Sequence, residues 1–321
     1  MAGIRRPNPN PPATRAAQMN EEEFRALYEQ LRGQLPWGPE DRRGALNYIT
    51  SAEVLAAVAG IRLGRTVSLA APVEHQPTTD NPDPARHEMK SAPGAEAGRG
   101  LSFSMDRIAM NIHGNADSHV DALCHVIFDG MLYNELAADT VTENGAAELS
   151  IDIAADGIVG RGVLLDVPRS RGVPWLEPGD HVTADDLLAV ERDQKVRVGR
   201  GDIVCVRVGH RRRRTEQGVW DAAEARAGLH PAALTMLADR QIAALAGDGN
   251  NDTAPSAVAG IDFPVHVLAV NALGLYLLDY LQFSQLREIC AVTGRWSFLC
   301  VIAPLRLPTG TGSPVNPIAI L

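Results

Sequence analysis

The chain of 321 residues exceeds the roughly 100–200 residues of a common domain, a size that large mixed α/β enzymes reach as one unit. Its apolar fraction of 45% and charged fraction of 21% exclude general disorder and predict a sizeable core. A net charge of −9 excludes phosphate neutralisation as the main business, so no nucleic-acid partner is expected.

Residues 1–18, rich in Pro, Asn and Arg, read as a flexible N-terminal arm with too little apolar surface to order itself. The tail PTGTGSPVNP is likewise too poor in periodic apolar residues to pack on its own chain, so a homo-oligomer that orders at least one of the two is expected. Residues 19–321 read as a single catalytic domain. From Glu21 to Leu35 the spacing of Phe24, Leu27, Tyr28 and Leu31 predicts a helix. Thr50 to Val58 predicts a second, with Thr50 or Ser51 as N-cap and Glu53 in its first turn. Val67 to Pro72 reads as a strand. Residues 74–100, punctuated by Pro77, Pro82, Pro84 and Pro93, read as a long loop and a candidate lid, with His75 and His87 placed to meet substrate.

Further strands are predicted at Gly162 to Val167, Asp202 to Val208, Gln241 to Ala246, Phe298 to Pro304 and the apolar run 265–271. Helices are predicted at Ala184 to Arg192, His230 to Asp239 and Ser284 to Ile289. The basic run His210 to Arg214 reads as a solvated loop and His181 as an exposed side chain. This mixture lacks a strict βαβ rhythm and has no GxGxxG or GxxxxGK[ST] element, which argues against dinucleotide and P-loop folds. The four cysteines show no CxxC spacing, and three sit in apolar runs where a reduced, buried thiol is usual. No signal-type segment and no window of about 18 uninterrupted apolar residues occurs, so no membrane partner and a cytoplasmic location are expected.

The densest chemistry is MNIHGNADSHVDALCHVIFDG, which brings His113, Asp117, His119, Asp121 and His125 together. In an extended segment residues two apart share a face, so His119 and Asp121 can converge on one ion while His125 returns from the next turn. Imidazole nitrogen with carboxylate oxygen suits Zn²⁺ or Mn²⁺. A polar loop can also collect histidines without purpose. Here, however, His119 and Asp121 alternate with apolar Val120, Ala122 and Leu123, and charges facing a buried surface are retained mainly when paired or metal-bound.

The segment Ser118 to His125 resembles the second half of the pattern HxGTHxDAxxH of the cyclase family, the kynurenine-formamidase-like or isatin-hydrolase-like metal-dependent hydrolases. Trp37-Gly38 with Asp41, Gly44 and Asn47, the stretch GVLLDV at 162–167 and the ending APLRLPTGTGSPVNPIAIL resemble longer members. The resemblance implies a mixed α/β fold with a central β-barrel-like sheet surrounded by helices, and a homodimer or homotetramer. It implies a divalent metal, Zn or Mn, and hydrolysis of an amide, N-formyl or lactam C–N bond of a small-molecule substrate through a metal-activated water.

His119 and Asp121 match metal ligands, His125 a second ligand or proton-transfer residue, and His266 a late active-site histidine. Asp279 falls where the family usually has Glu and is read with His125 and His266 as catalytic. The pattern's first histidine falls on Asn115 and its Gly-Thr on Asp117-Ser118, which leaves Asn115 itself, His113 or Asp117 to complete the shell. Two other readings stay open: a metal-dependent lyase, dehydratase or cyclase, and a non-catalytic binding protein with a degenerate metal site.

Overall fold

The computed structural model describes residues 16–92, 94 and 100–321. The predicted N-terminal arm lies outside the described residues except for its last three, of which Ala16 donates its backbone N–H to His181 Nδ1. His181 is buried rather than exposed.

A nine-stranded mixed sheet, curled into a half-barrel, organises the molecule. Its strands run in the order Thr66–Ser68, Ile318–Ile320, Ser297–Ile302, Ile158–Asp166, Ile203–Arg207, Ala244–Gly247, Tyr276–Asp279, His119–Asp121 and Gly312–Pro314. The four strands from Ile158–Asp166 to Tyr276–Asp279 are mutually parallel, and the flanking pairs are antiparallel. The strand Ile203–Arg207 is buried throughout, as an apolar run covered on both faces must be. Where Gly162 faces Phe298 across the sheet, an added Cβ would stand 2.2 Å from the aromatic ring, so the ring lies directly on the glycine backbone.

Local signals account for the helices that position these strands. Glu21–Arg32 begins at Asn20 and Ser51–Ala59 at Thr50, each with a capping box closed by Glu23 and Glu53 respectively. Phe24 and Leu31 bury one face of the first helix. Asp41 accepts from Gly44 N–H, the Asn47 amide and the Tyr133 hydroxyl, so the Trp37–Asn47 stretch ties its own turn to the core.

Four further expectations are corrected. The apolar run 265–271 is helical: Pro264–His266 forms a first turn and Val267–Ala272 continues as a π-helix. An apolar run this short carries no period that separates a buried strand from a buried helix. The basic run forms the helix His210–Gln217, in which Arg214 grips both oxygens of Glu74 at 2.7 and 2.9 Å and also holds Asp80. Those contacts pin the start of the 74–100 segment, and its later part holds the strand Arg86–Ser91, paired with Met105–Ala109. Finally, the C-terminal segment packs on its own chain: Gly312–Pro314 and Ile318–Ile320 are strands of the main sheet. Pro93 and residues 95–99 lie outside the described residues.

Candidate metal centre

The site forms where the short strand His119–Asp121 joins the sheet. It pairs antiparallel with Tyr276–Asp279, placing Asp279 opposite His119 and Leu277 opposite Asp121. Period-two alternation therefore sets His119, Asp121 and Asp279 on one face, with Val120 and Leu278 on the other. Asp279 ends a parallel strand, and the loop after the neighbouring strand Ala244–Gly247 supplies the groups around it. Ligand sites of open α/β sheets sit at this carboxyl end.

His119 is buried, and its Nδ1–H donates to the Asp117 carbonyl at 2.8 Å. That bond keeps a proton on Nδ1 and turns Nε2 towards Asp121 Oδ1, 3.7 Å away. His113 arrives from the preceding loop, with Nδ1 at 2.9 Å from Asp121 Oδ1 and Nε2 at 3.0 Å from the Thr311 hydroxyl. Gly312 makes room for it, since a Cβ there would stand 2.7 Å from the ring. Donor atoms of His113, His119 and Asp121 all lie within 4.8 Å of one another. Asp121 Oδ2 is buried without a hydrogen-bond partner, an arrangement costly for a carboxylate unless a cation takes it up. Two imidazoles and a carboxylate with a free oxygen therefore fit a divalent ion.

His266 approaches from the other side, its Nε2 lying 3.6 Å from Asp121 Oδ2 and 3.4 Å from Asp279 Oδ2. Burial alone would lower its pKa, but hydrogen bonds to Asp252 and Asp279 outweigh this and hold it well above the usual imidazole range. Burial would likewise raise Asp121, yet the His113 hydrogen bond and the nearby His125, His119 and His266 hold it well below the usual carboxylate range. His125 stacks on His113, and burial pushes it down to about 4 against the opposing charge of Asp121.

A cavity of about 560 Å³ opens over these groups. His113, His119, His125, His266 and Asp279 line its polar side, and Phe128, Ile261 and Phe263 its apolar side. Asn115 is exposed at the cavity wall and Asp117 is not brought in. The Asp117 carboxylate accepts from Glu74 N–H at 3.1 Å, so its side chain serves the neighbouring loop. His75 and His87 lie 5.6 Å apart, ring to ring, and do not line the cavity.

Sequence reasoning passed over Asn250, Asn251, Asp252 and Thr311. Asn250 and Asn251 donate to Asp279 Oδ2 and Oδ1, at 2.8 and 2.5 Å. The available signal was three amide or carboxylate side chains in succession in the loop that follows the apolar strand Ala244–Gly247.

The family model described as Cyclase matches residues 61–251. This chain belongs to the cyclase family. The crystal structure of a novel cyclase is 29% identical, with a TM-score of 0.80 over 92% of this chain and 99% of that one. Isatin hydrolase A from Labrenzia aggregata, bound to benzyl benzoate, is 23% identical over 79% of this chain and 93% of its own, with a TM-score of 0.57. An isatin hydrolase bound to the product analogue thioisatinate is 18% identical over 85% and 99%, with a TM-score of 0.55. These two likenesses share the fold of the cyclase family. No curated protein matches the chain.

Proposed function

We propose that this member of the cyclase family is a metal-dependent hydrolase that opens an amide, N-formyl or lactam C–N bond of a small molecule. One observation carries the reading: donor atoms of His113, His119 and Asp121 within 4.8 Å of one another on a cavity wall, with Asp121 Oδ2 accepting no hydrogen bond. Structural neighbours described as isatin hydrolases and as a predicted metal-dependent hydrolase support it.

When bound by these three residues, Zn²⁺ or Mn²⁺ would supply Lewis acidity towards a carbonyl and acidify water. The chain's own groups do the rest. Asp117 keeps His119 in one tautomer through its carbonyl. The apolar wall of Phe128, Ile261 and Phe263 excludes water from one side of a bound small molecule, and the volume of about 560 Å³ suits one. His125 and His266 both face the cavity, where a proton leaving the attacking water can be held and returned to the departing nitrogen. Asn250 and Asn251 donate to both Asp279 oxygens, which keeps that carboxylate an acceptor turned towards His266.

The test is turnover of isatin and of an N-formyl aniline by protein loaded with Zn²⁺ or Mn²⁺. Ring opening or deformylation that disappears in Asp121→Ala is expected. Loaded protein that cleaves neither C–N bond, yet dehydrates or cyclises a hydroxy acid, would replace hydrolysis with elimination or ring closure.

A further inference from the structure

Asp252 is fully buried, and three donors converge on its carboxylate. The backbone N–H of Val265 donates to Oδ1 at 2.6 Å and that of His266 to Oδ2 at 3.0 Å. The His266 ring Nδ1–H donates to the same Oδ2 at 2.5 Å. The backbone bonds fix where the short Pro264–His266 turn stands, and the ring bond fixes how the imidazole is rotated upon it. A carboxylate only accepts, so Nδ1 carries a proton whether the ring is neutral or charged. Nε2 is then the atom turned into the site.

Asp252 is itself held. Its backbone N–H donates to Asn250 Oδ1 at 2.9 Å, and its carbonyl accepts from Arg226 Nε at 2.9 Å. There is no room to shift it towards Gly228, where an added Cβ would lie 2.4 Å from the Asp252 carbonyl carbon. Asn250 meanwhile donates to Asp279 Oδ2, so one loop aims both groups that meet at His266 Nε2.

We infer that Asp252 is a positioning residue: it holds His266 so that Nε2, not Nδ1, is the ring atom that exchanges a proton in the reaction. Its kinetic half rests on the hydrolysis reading, whereas the orientation concerns the chain alone. No charge or bond is made by Asp252 itself; it accepts the Nδ1–H before, during and after turnover. A fixed ring presents its working nitrogen without the search that a free imidazole would need.

Proton NMR of the protein, metal-free and zinc-loaded, tests the orientation. A far-downfield, slowly exchanging imidazole N–H, assigned by its loss in His266→Gln, is expected in the wild type and absent from Asp252→Asn, whose amide offers no anionic acceptor. In the turnover assay, Asp252→Asn should lower kcat by about 10²-fold or more with KM and zinc content within about twofold of wild type. Persistence of the resonance in folded Asp252→Asn, its absence from the wild type, or an unchanged kcat once it is lost would each overturn the inference. Lack of any wild-type turnover defeats the hydrolysis reading instead, and the resonance alone then decides the orientation. Should Asp252→Asn fail to fold, the wild-type resonance and its loss in His266→Gln decide it.

Discussion

The imidazole of His125 lies flat on that of His113, with ring centroids 3.6 Å apart and planes 7° from parallel. His113 is in turn bonded to Asp121 and Thr311, so the stack braces one of the three converging donors while exposing His125 to the cavity. Packing and proton transfer are separable here. His125→Gln should lower kcat by about 10²-fold or more with metal retained, and His125→Phe should keep the stack without regaining the rate. Wild-type turnover in the phenylalanine variant would reduce His125 to a packing residue.

Metal content should follow the geometry. Elemental analysis is expected to find one divalent ion per chain, lost in His113→Ala, His119→Ala and Asp121→Ala, because each removes one of the three converging donors. Asn115→Ala should keep the ion, since Asn115 stands exposed on the cavity wall. The opposite pattern, with Asn115 needed and His113 dispensable, would show that the ion sits elsewhere.

The acid limb of stability should carry a signature of His210. Burial, with a smaller contribution from Arg211, pushes this imidazole down to about 3, whereas in the unfolded chain it takes its ordinary value near 6.5. Between those values the unfolded state binds the extra proton, so the stabilisation present above about pH 6.5 is lost as the pH falls towards 3. The slope from this group is at most about 1.4 kcal/mol per pH unit. Urea titrations at pH 7, 6 and 5 should show a shallower decline for His210→Gln than for wild type, and parallel declines would sink the assignment.

Asp166 is fully buried between Arg207 at 2.7 Å and Arg287 at 3.2 Å. Asp166→Ala leaves the buried Arg207 guanidinium without its carboxylate, and should cost about 3–5 kcal/mol in denaturant unfolding. A loss under about 1 kcal/mol would mean that water or another acceptor takes over.

The hairpin of Arg86–Ser91 with Met105–Ala109 exposes Met89, Met105 and Ile108, and Phe103 beside it is exposed as well. An isolated two-stranded ribbon is marginal in water. We therefore propose a homodimer or homotetramer that covers it. Light scattering should return the oligomer at micromolar concentration, and Phe103→Ser with Ile108→Ser should weaken it; a clean wild-type monomer would contradict the proposal.

What could be read from the residues divides along a physical line. Thr50 with Glu53 three residues on marks a capping box, and His119 and Asp121 alternate with apolar neighbours, so a helix start and two groups that share one face of a strand were legible from adjacent residues. The run His210 to Arg214 was not, because what makes it a packed helix is Glu74 and Asp80, far back along the chain. The hairpin strand Arg86–Ser91 is exposed along most of its length and shows no alternation to find. His266 was reached only through resemblance, and its partner Asp252 not at all, since their bond depends on a loop and a helix turn meeting in space. For the same reason the tail seemed unable to pack on its own chain: its strands become apolar neighbours only after the sheet has curled.

The strand carrying His119 and Asp121 is held on its outer side by Gly312–Pro314, with Thr311 reaching back to His113. In the order of synthesis, therefore, His113, His119 and Asp121 emerge from the ribosome long before the backbone that closes over them. Loop-closure entropy makes so distant a pairing a late event in folding. A nascent chain has His113, His119 and His125 but not yet the strand beside them, and the arrangement proposed to hold an ion is complete only with residues 311–314.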